Sequence, residues 1–228
     1  MPIYKLNDNY IFPDPKFSEP DGLLAIGGDL SKDRLIEAYR QGIFPWYSEG
    51  QPILWWSPDP RMVLFPKDFI KHKNLRKTIN SNKFVVSFDQ MFEQVIEQCS
   101  SIPRLGQDGD TWITDDMKNA YISLNKSGIA HSVEVTYEDK LVGGLYGLSI
   151  GKCFFGESMF HKVNDASKVA LWHLVDKLTD WKFDIIDVQQ ETDHLKSMGA
   201  IAIERKEFLH LLHISVNKES IIGNWNTA

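Results

Sequence analysis

The sequence has few cysteines and no long apolar run. Its 228 residues include only Cys99 and Cys153, which are far apart and lack the close spacing of metal ligands. We expect two buried thiols and not a disulfide, which is consistent with a cytoplasmic protein. No apolar stretch approaches the roughly 20 residues that a membrane-spanning helix requires. The first residues also lack the apolar core of a signal peptide.

Positive charge is also scarce. The net charge is −6 at pH 7, so any nucleic-acid surface must concentrate its cations locally. Positive charge dominates in one segment, where Asp68 is the only acid among a set of basic side chains: Lys67, Lys71, His72, Lys73, Arg76, Lys77 and Lys83. Such a run is either a solvated helix face or a phosphate-binding surface.

Several common chemical motifs are missing. There is no internal repeat, no low-complexity tract, and no Walker or dinucleotide motif. Ser158 is not in a nucleophile elbow, because Phe160 stands where the final glycine belongs. His210 and His213 can share a helix face, but no cysteine or His-Glu-x-x-His motif accompanies them, so we expect no metal site.

What is present is typical of a globular α/β protein. Hydrophobic residues make up 43% and charged residues 25% of the chain, which is long enough for one or two domains. The first sixty residues are rich in Pro, Gly and Trp, and contain one clear helix between Ser31 and Gly42. A Pro-Asp-Pro turn at 58–60 predicts a boundary between a small N-terminal α/β domain, 1–60, and a larger domain, 61–228.

The larger segment alternates strands and helices. Asp89 and Thr114 are predicted helix caps, and Asn164 or Asp165 begins another helix. Short links predict that three successive strands form an antiparallel meander. The predicted strands are 84–88, 131–137, 141–148, 152–155 and 183–188, followed by a short helix near 194–198, Gly199 and a last strand.

Two polar residues lie at the end of the buried strand 183–188. Side chains alternate along a strand, so Asp187 and Gln189 are predicted to share a face. A carboxylate and a carboxamide are costly to bury without partners. They either hydrogen-bond to the surrounding structure or carry out chemistry, and the strand alone leaves both interpretations open.

Several long strings of unusual composition occur in a fixed order: PDGLLAIGGDL (20–30), GIFPWY (42–47), ILWWSPDPR (53–61), TWIT (111–114) and GESMF (156–160). In this order they closely resemble the leucyl/phenylalanyl-tRNA–protein transferase family. The resemblance extends from about Phe12 to Leu212. It implies a larger domain with the GNAT acyltransferase fold, which the predicted meander, helix and strand also resemble.

One part of the ordinary GNAT pattern is missing. Acetyltransferases of this fold hold the coenzyme pyrophosphate with a Gly-rich loop after the fourth strand. Here the segment 159–164 occupies that point and contains no glycine. We therefore expect no coenzyme A donor and no cofactor.

The resemblance implies an aminoacyltransferase. Such an enzyme moves Leu, Phe or Met from aminoacyl-tRNA to a protein with N-terminal Arg or Lys, by ester aminolysis, and marks that protein for N-end rule degradation. Its partners are therefore aminoacyl-tRNA and acceptor proteins, with no membrane and no metal. The alternatives are an acyl-CoA-dependent N-acetyltransferase and a non-enzymatic binder of basic protein N-termini.

The resemblance also assigns residue roles. It makes Asp187 and Gln189 the catalytic pair, although an alternative assigns the proton transfer to the substrate, and it makes Glu157 an active-site glutamate. The donor side-chain pocket matches Leu145, Phe154, Leu171 and Ile186, and Gly156 is a further substrate-binding residue. The aromatic residues around the terminal adenosine match Trp46 and Trp112. The tRNA-contacting region matches Lys71, Lys73, Arg76 and Lys77. By periodicity alone, the pocket residues are ordinary core residues and the tryptophans are interface residues.

Overall fold

The computed structural model describes residues 3–101 and 111–227, and within these ranges the chain forms two sheets flanked by helices. The strands of the smaller sheet are β1 Tyr4–Leu6, β2 Leu23–Gly27, β3 Phe44–Pro45 and β4 Leu54–Trp56. Their order is β1-β2-β4-β3, with β1 parallel to β2 and the other pairs antiparallel.

The larger sheet carries most of the core. Its strands are β5 Arg61–Leu64, β6 Val85–Phe88, β7 Ala130–Tyr137, β8 Lys140–Ile150, β9 Cys153–His161, β10 Ile185–Gln189 and β11 Ile201–Ile203. Their order is β11-β5-β10-β9-β8-β7-β6. The predicted meander is confirmed, because β7, β8 and β9 are consecutive antiparallel neighbours.

The helices complete a mixed α/β fold. They are α1 Lys32–Arg40, α2 Lys73–Asn80, α3 Phe92–Ser101, α4 Asp115–Lys126, α5 Ala166–Asp180, α6 Asp193–Ser197 and α7 Arg205–Val216. The long helix α5 connects β9 to β10, which are parallel. This connection brings the carboxyl end of β10 beside the middle of β9, where the site lies.

Two predicted helix caps have different outcomes. Thr114 caps α4 as predicted, because its hydroxyl accepts a hydrogen bond from the Met117 N–H at 3.3 Å. Asp89 does not cap α3, and that prediction is wrong. It has a left-handed φ of 54°, and its carboxylate accepts hydrogen bonds from the Ser132 and Trp225 N–H groups, each at 2.8 Å. Tertiary partners have replaced the local one.

Strand β9 is longer than predicted. The predicted strand covers 152–155, but the observed strand continues to His161. It pairs with β8 throughout, with a register shift opposite Tyr146 and Gly147. Glu157 is therefore on a strand of the central sheet, at an irregularity in the pairing.

One hydrophobic core connects the two sheets. Leu35 and Tyr39 of α1 belong to the same buried cluster as Phe155 of β9, and the Tyr39 and Phe155 ring centroids are 5.1 Å apart. The predicted boundary near residue 60 falls between β4 and β5. Because the core is shared across it, the division into domains 1–60 and 61–228 stays a prediction.

The structure also shows the state of the two cysteines and the character of the helices. Cys99 and Cys153 are both buried thiols, and the structure does not join them in a disulfide. Burial raises the pKa of the Cys153 thiol well above its usual value, so this side chain behaves as a small apolar group. In residues 3–101 and 111–227, no helix combines the length and apolar character needed to cross a membrane.

Candidate active site

A cavity of about 500 Å³ opens at the carboxyl end of β10. Its inner wall is apolar, with side chains from β8, β9, α5 and β10: Leu145, Phe154, Leu171, Leu174 and Ile186. Another part of it is lined by Pro45 of β3, by Trp46 directly after that strand, and by Trp112 before α4. This size and composition are typical of a pocket for a small apolar group with polar residues at its edge.

The structure brings the predicted site residues together. The cavity is lined by every residue predicted to bind the donor: Trp46, Trp112, Leu145, Phe154, Gly156, Leu171 and Ile186. Glu157 and Gln189 line it as well, whereas Asp187 does not. Their proximity supports the predicted roles, which stay predictions.

Glu157 is the central polar group of the pocket. Its Oε1 accepts hydrogen bonds from the Tyr39 hydroxyl at 2.7 Å and from the Gln189 side-chain amide at 3.2 Å. Its Oε2 accepts one from the Tyr121 hydroxyl at 3.0 Å, and the two tyrosine hydroxyls also contact each other. Desolvation nevertheless raises the pKa of Glu157 to about 7, because the loss of hydration outweighs the two tyrosine bonds.

A β-bulge separates Asp187 from Gln189. Asp187 is paired with Val63 on β5, but Gln189 is paired with the adjacent Met62, and Gln189 has a left-handed φ of 55°. The regular alternation predicted for these two residues is therefore wrong. The bulge turns Gln189 into the pocket and leaves Asp187 in the interior.

Asp187 belongs to a buried ion pair. Its two oxygens accept hydrogen bonds from the Arg61 guanidinium, from Nε at 2.8 Å and from Nη2 at 2.6 Å, and both side chains are fully buried. The Asp187 Oδ1 also accepts the Gln189 backbone N–H at 3.0 Å. The carboxylate therefore fixes the Gln189 backbone within the bulge and does not contact its side-chain amide.

Aromatic rings cover the ion pair. The Arg61 guanidinium lies 4.8 Å from the Phe44 ring centroid and 4.7 Å from that of Phe208. Such contacts stabilise a desolvated cation through the negative face of the ring. The pair thus links β5, β10, α7 and the smaller sheet directly behind the pocket.

The sequence alone does not indicate a functional role for Tyr39, Tyr121 or Arg61. Tyr39 occupies the apolar stripe of α1, and its spacing alone indicates a core residue. Tyr121 is similarly buried on α4, and Arg61 follows a turn as an apparently ordinary basic residue. Only the tertiary structure brings two hydroxyls to Glu157 and a guanidinium to Asp187.

The basic segment forms an exposed surface that includes α2. Lys73, Arg76 and Lys77 are exposed on this helix, which packs against α5 through Leu75. Lys71 is exposed too, but its ammonium group pairs with Asp176 of α5 at 2.6 Å. Asp68 is therefore not the only acid that opposes this cluster.

The described residues contain neither a cluster of potential metal ligands nor a glycine in the link after β9. Among the described residues, no set of three or more His, Cys, Asp or Glu side chains is placed to hold a metal ion. The link between β9 and α5 consists of residues 162–165 and contains no glycine. The backbone cradle that holds a coenzyme pyrophosphate in acetyltransferases has no counterpart in this link.

Comparisons with known proteins match nearly the whole chain. The family model described as leucyl/phenylalanyl-tRNA protein transferase matches residues 63–213. The model of the N-terminal domain of the same family matches residues 28–59. Together these two matches include Glu157 and its hydrogen-bond partners Tyr39, Tyr121 and Gln189.

Curated relatives are similar over most of their own lengths. A leucyl/phenylalanyl-tRNA–protein transferase of Syntrophobacter fumaroxidans is 54% identical over 212 residues, covering 93% of this chain and 90% of the relative. One from Thermodesulfovibrio yellowstonii is 52% identical, covering 99% and 92%. One from Desulforapulum autotrophicum is 48% identical, covering 99% and 98%.

Similarity to solved structures is weaker. An aminoglycoside acetyltransferase from an uncultured soil metagenomic sample, in complex with sisomicin, aligns with a TM-score of 0.39 and 13% identity. The alignment covers 51% of this chain and 85% of that one.

Proposed function

This chain belongs to the leucyl/phenylalanyl-tRNA–protein transferase family, and from that premise we propose how its pocket carries out the reaction. The chain transfers an aminoacyl group from aminoacyl-tRNA to the N-terminus of a protein. One observation supports the assignment of residue roles: a single cavity has an apolar inner wall and, at its edge, the carboxylate of Glu157 and the carboxamide of Gln189.

The apolar wall holds the donor side chain. The pocket accepts Leu, Phe or Met, because long unbranched, γ-branched and aromatic side chains reach Leu171 and Ile186 without crowding the backbone. Ile and Val are disfavoured, since their additional carbon lies next to the backbone and restricts χ1. Charged donors are rejected more strongly, because no partner for a charge lines the inner wall.

The remainder of the donor lies outside this wall. The indoles of Trp46 and Trp112 stack on the terminal adenosine, which contributes about 1–3 kcal/mol per base. Exposed cations on and before α2 contact the tRNA phosphates. These cations are Lys71, Lys73, Arg76 and Lys77.

The acceptor amine attacks the ester carbonyl carbon. A C–N bond forms, the ester C–O bond breaks, and the 3′ ribose oxygen of the tRNA leaves with a proton. The α-amino group has a usual pKa of about 7.7–8.0, so much of it is neutral near pH 7. Positioning therefore supplies much of the rate enhancement, and neither a covalent intermediate nor a cofactor is required.

Glu157 receives the proton that the attacking amine loses and returns it to the leaving oxygen. A carboxylate whose pKa is about 7 is matched to proton transfer at neutral pH. Its negative charge also favours an acceptor with N-terminal Arg or Lys. In the alternative route, the substrate itself moves the proton, and Glu157 then only orients the amine.

Gln189 orients the reacting groups. Its amide donates to Glu157, and its other hydrogen and its oxygen remain for the tetrahedral intermediate and the amine. Asp187 acts as a positioning residue, because it holds the bulge through the Gln189 backbone.

The acceptor modified in this way is marked for N-end rule degradation in the cytoplasm, a reducing compartment that suits the two buried thiols.

The test uses the full chain, phenylalanyl-tRNA with a labelled amino acid, and peptides that start with Arg or Ala. We expect label on the Arg peptide, little on the Ala peptide, and a product mass increased by one Phe residue. Transfer of an acetyl group from acetyl-CoA under the same conditions would identify an N-acetyltransferase instead. Peptide binding without any transfer would identify a binding module.

A further inference from the structure

The final segment of the described chain, residues 218–227, is fastened across the larger sheet, and we call it the C-terminal strap. The Trp225 N–H donates to the Asp89 carboxylate at 2.8 Å, and the Asn224 side-chain amide donates to the Asp89 carbonyl at 3.2 Å. Trp225 itself is fully buried. The strap therefore inserts a large aromatic side chain into the core, although it lies beyond the last helix.

The Trp225 indole occupies a defined position among other rings. It stacks on the His131 imidazole, with centroids 3.7 Å apart and planes inclined by 10°. The His131 Nδ1 is 2.8 Å from the same Asp89 carboxylate that holds the Trp225 backbone. Trp181 packs edge-on against the indole at 5.1 Å. The His131 stack and the backbone hydrogen bond to Asp89 hold the indole in place, and Trp181 only covers its edge.

The indole also contacts Phe154, with centroids 5.9 Å apart. Phe154 lines the cavity and is 1% exposed. Gly147 lies close to the same ring, since a Cβ there would be 2.7 Å from two ring carbons of Phe154. The position of the Phe154 ring is thus limited by the Gly147 backbone and by the Trp225 indole.

We propose that Trp225 is a positioning residue that determines donor specificity, because it supports the Phe154 wall of the side-chain pocket. The inference rests on the proposed function, since it assumes that Phe154 contacts the donor side chain. A smaller residue at 225 lets the Phe154 ring move back and deepens the pocket. The kcat/KM for large donor side chains then rises relative to that for Leu, because a pocket that is larger or smaller by one methylene group changes specificity by about 10–200-fold.

The experiment is a competition between Phe- and Leu-charged tRNA for one Arg-starting peptide. The product ratio reports relative kcat/KM and does not depend on how much of the enzyme is folded. We expect Trp225→Leu to raise the Phe:Leu ratio at least threefold, and Trp225→Phe to raise it less. Trp-charged tRNA should become a measurable donor for Trp225→Leu.

The matched control is Trp181→Leu, which removes an indole that contacts Trp225 and does not line the cavity. It should lower the melting temperature and leave the ratio within twofold of wild type. A Trp225→Phe or Trp225→Leu ratio equal to that of wild type would overturn the inference and make the strap purely structural. If the wild-type chain transfers neither amino acid, the proposed function itself is wrong.

Discussion

Glu157 is a carboxylate with three hydrogen-bond donors and an elevated pKa, and this combination has a direct consequence for its protonation. Desolvation favours the neutral form, whereas the hydroxyls of Tyr39 and Tyr121 favour the charged form. The resulting pKa of about 7 places the group close to half protonated at neutral pH. Small changes in pH therefore alter the fraction able to accept a proton.

We predict a pH dependence that belongs to Glu157. Because its folded-state pKa is raised to about 7, the ionised form increases as pH rises through 7 and is lost below it. The rate of single-turnover transfer at saturating acceptor should rise through this range, before the further rise that accompanies deprotonation of the acceptor amine near about 7.7–8.0. Glu157→Gln should lower the rate by about 10²–10⁴ and remove this step.

The Gln variant provides the control for this prediction, because it keeps the shape of the side chain. Any remaining pH dependence should follow the acceptor amine, near about 7.7–8.0. If Glu157→Gln lowers the rate but retains the midpoint near 7, the titrating group is not Glu157. Retained folding is checked by circular dichroism.

Gln189 gives a second prediction at the scale of one residue. Gln189→Ala removes a pocket amide and should lower kcat by about 10²–10³, with little change in stability, because the bulge depends on its backbone N–H. Asp187→Ala should lower both kcat and stability, since it leaves Arg61 buried without a partner. Near wild-type transfer by Gln189→Ala would exclude its amide from the reaction.

At the scale of an element, α2 presents two exposed cations one turn apart. Lys73 and Lys77 are four positions apart and therefore lie on one helix face. Replacing both by Glu should weaken the use of full-length aminoacyl-tRNA and lower the salt slope by about 0.7–0.9 for each lost phosphate contact. Reaction with a minimal aminoacyl-adenosine donor should be almost unchanged.

The matched control for α2 reverses the same number of charges elsewhere. Lys32 and Lys206 are exposed lysines outside the basic segment, and replacing both by Glu keeps the net charge change equal. This control should retain wild-type use of aminoacyl-tRNA. Equal losses in the two double variants would mean that overall charge, and not α2, governs tRNA use.

Local elements were predictable from the sequence where their partners are close in the chain. The β7–β8–β9 meander follows from short links and alternating residues, and Thr114 caps the helix that begins next to it. Asp89 was not predictable, because its carboxylate serves His131 and Trp225, which lie far along the chain.

The site was predictable only in part for the same reason. The strand pattern at the end of β10 identified Asp187 and Gln189 as candidate site residues. The family resemblance identified Glu157 and the residues of the pocket wall. A bulge cannot be read from the alternation of side chains, because it is a departure from that alternation. The hydroxyls of Tyr39 and Tyr121 reach Glu157 from helices whose spacing shows only that they are amphipathic.

At the scale of the whole molecule, the Arg61–Asp187 pair joins two distant parts of the chain. Removing one partner leaves a buried charge, so we predict that Arg61→Met costs about 3–5 kcal/mol in the free energy of unfolding. Adding Asp187→Leu should recover much of this loss but not the transfer activity. Urea unfolding measures the first effect and the transfer assay the second.

The exposed Lys71–Asp176 pair is the control for that cycle. Both of its side chains are at least 40% exposed, and removing Lys71 should cost only about 0–1 kcal/mol. If Arg61→Met is as mild as Lys71→Met, the buried pair does not hold β5 against β10. If the double variant retains full activity, Asp187 is not needed to position Gln189.

The placement of β5 also determines when the protein can fold as it is synthesised. This strand lies between β10 and β11, and Asp187 follows Arg61 by 126 residues. Because synthesis proceeds from the N-terminus, β5 leaves the ribosome long before either neighbouring strand exists. The nascent chain therefore holds an unpaired β5 strand and an Arg61 side chain without its carboxylate partner until β10 emerges, so the pocket can close only after Gln189 has been synthesised.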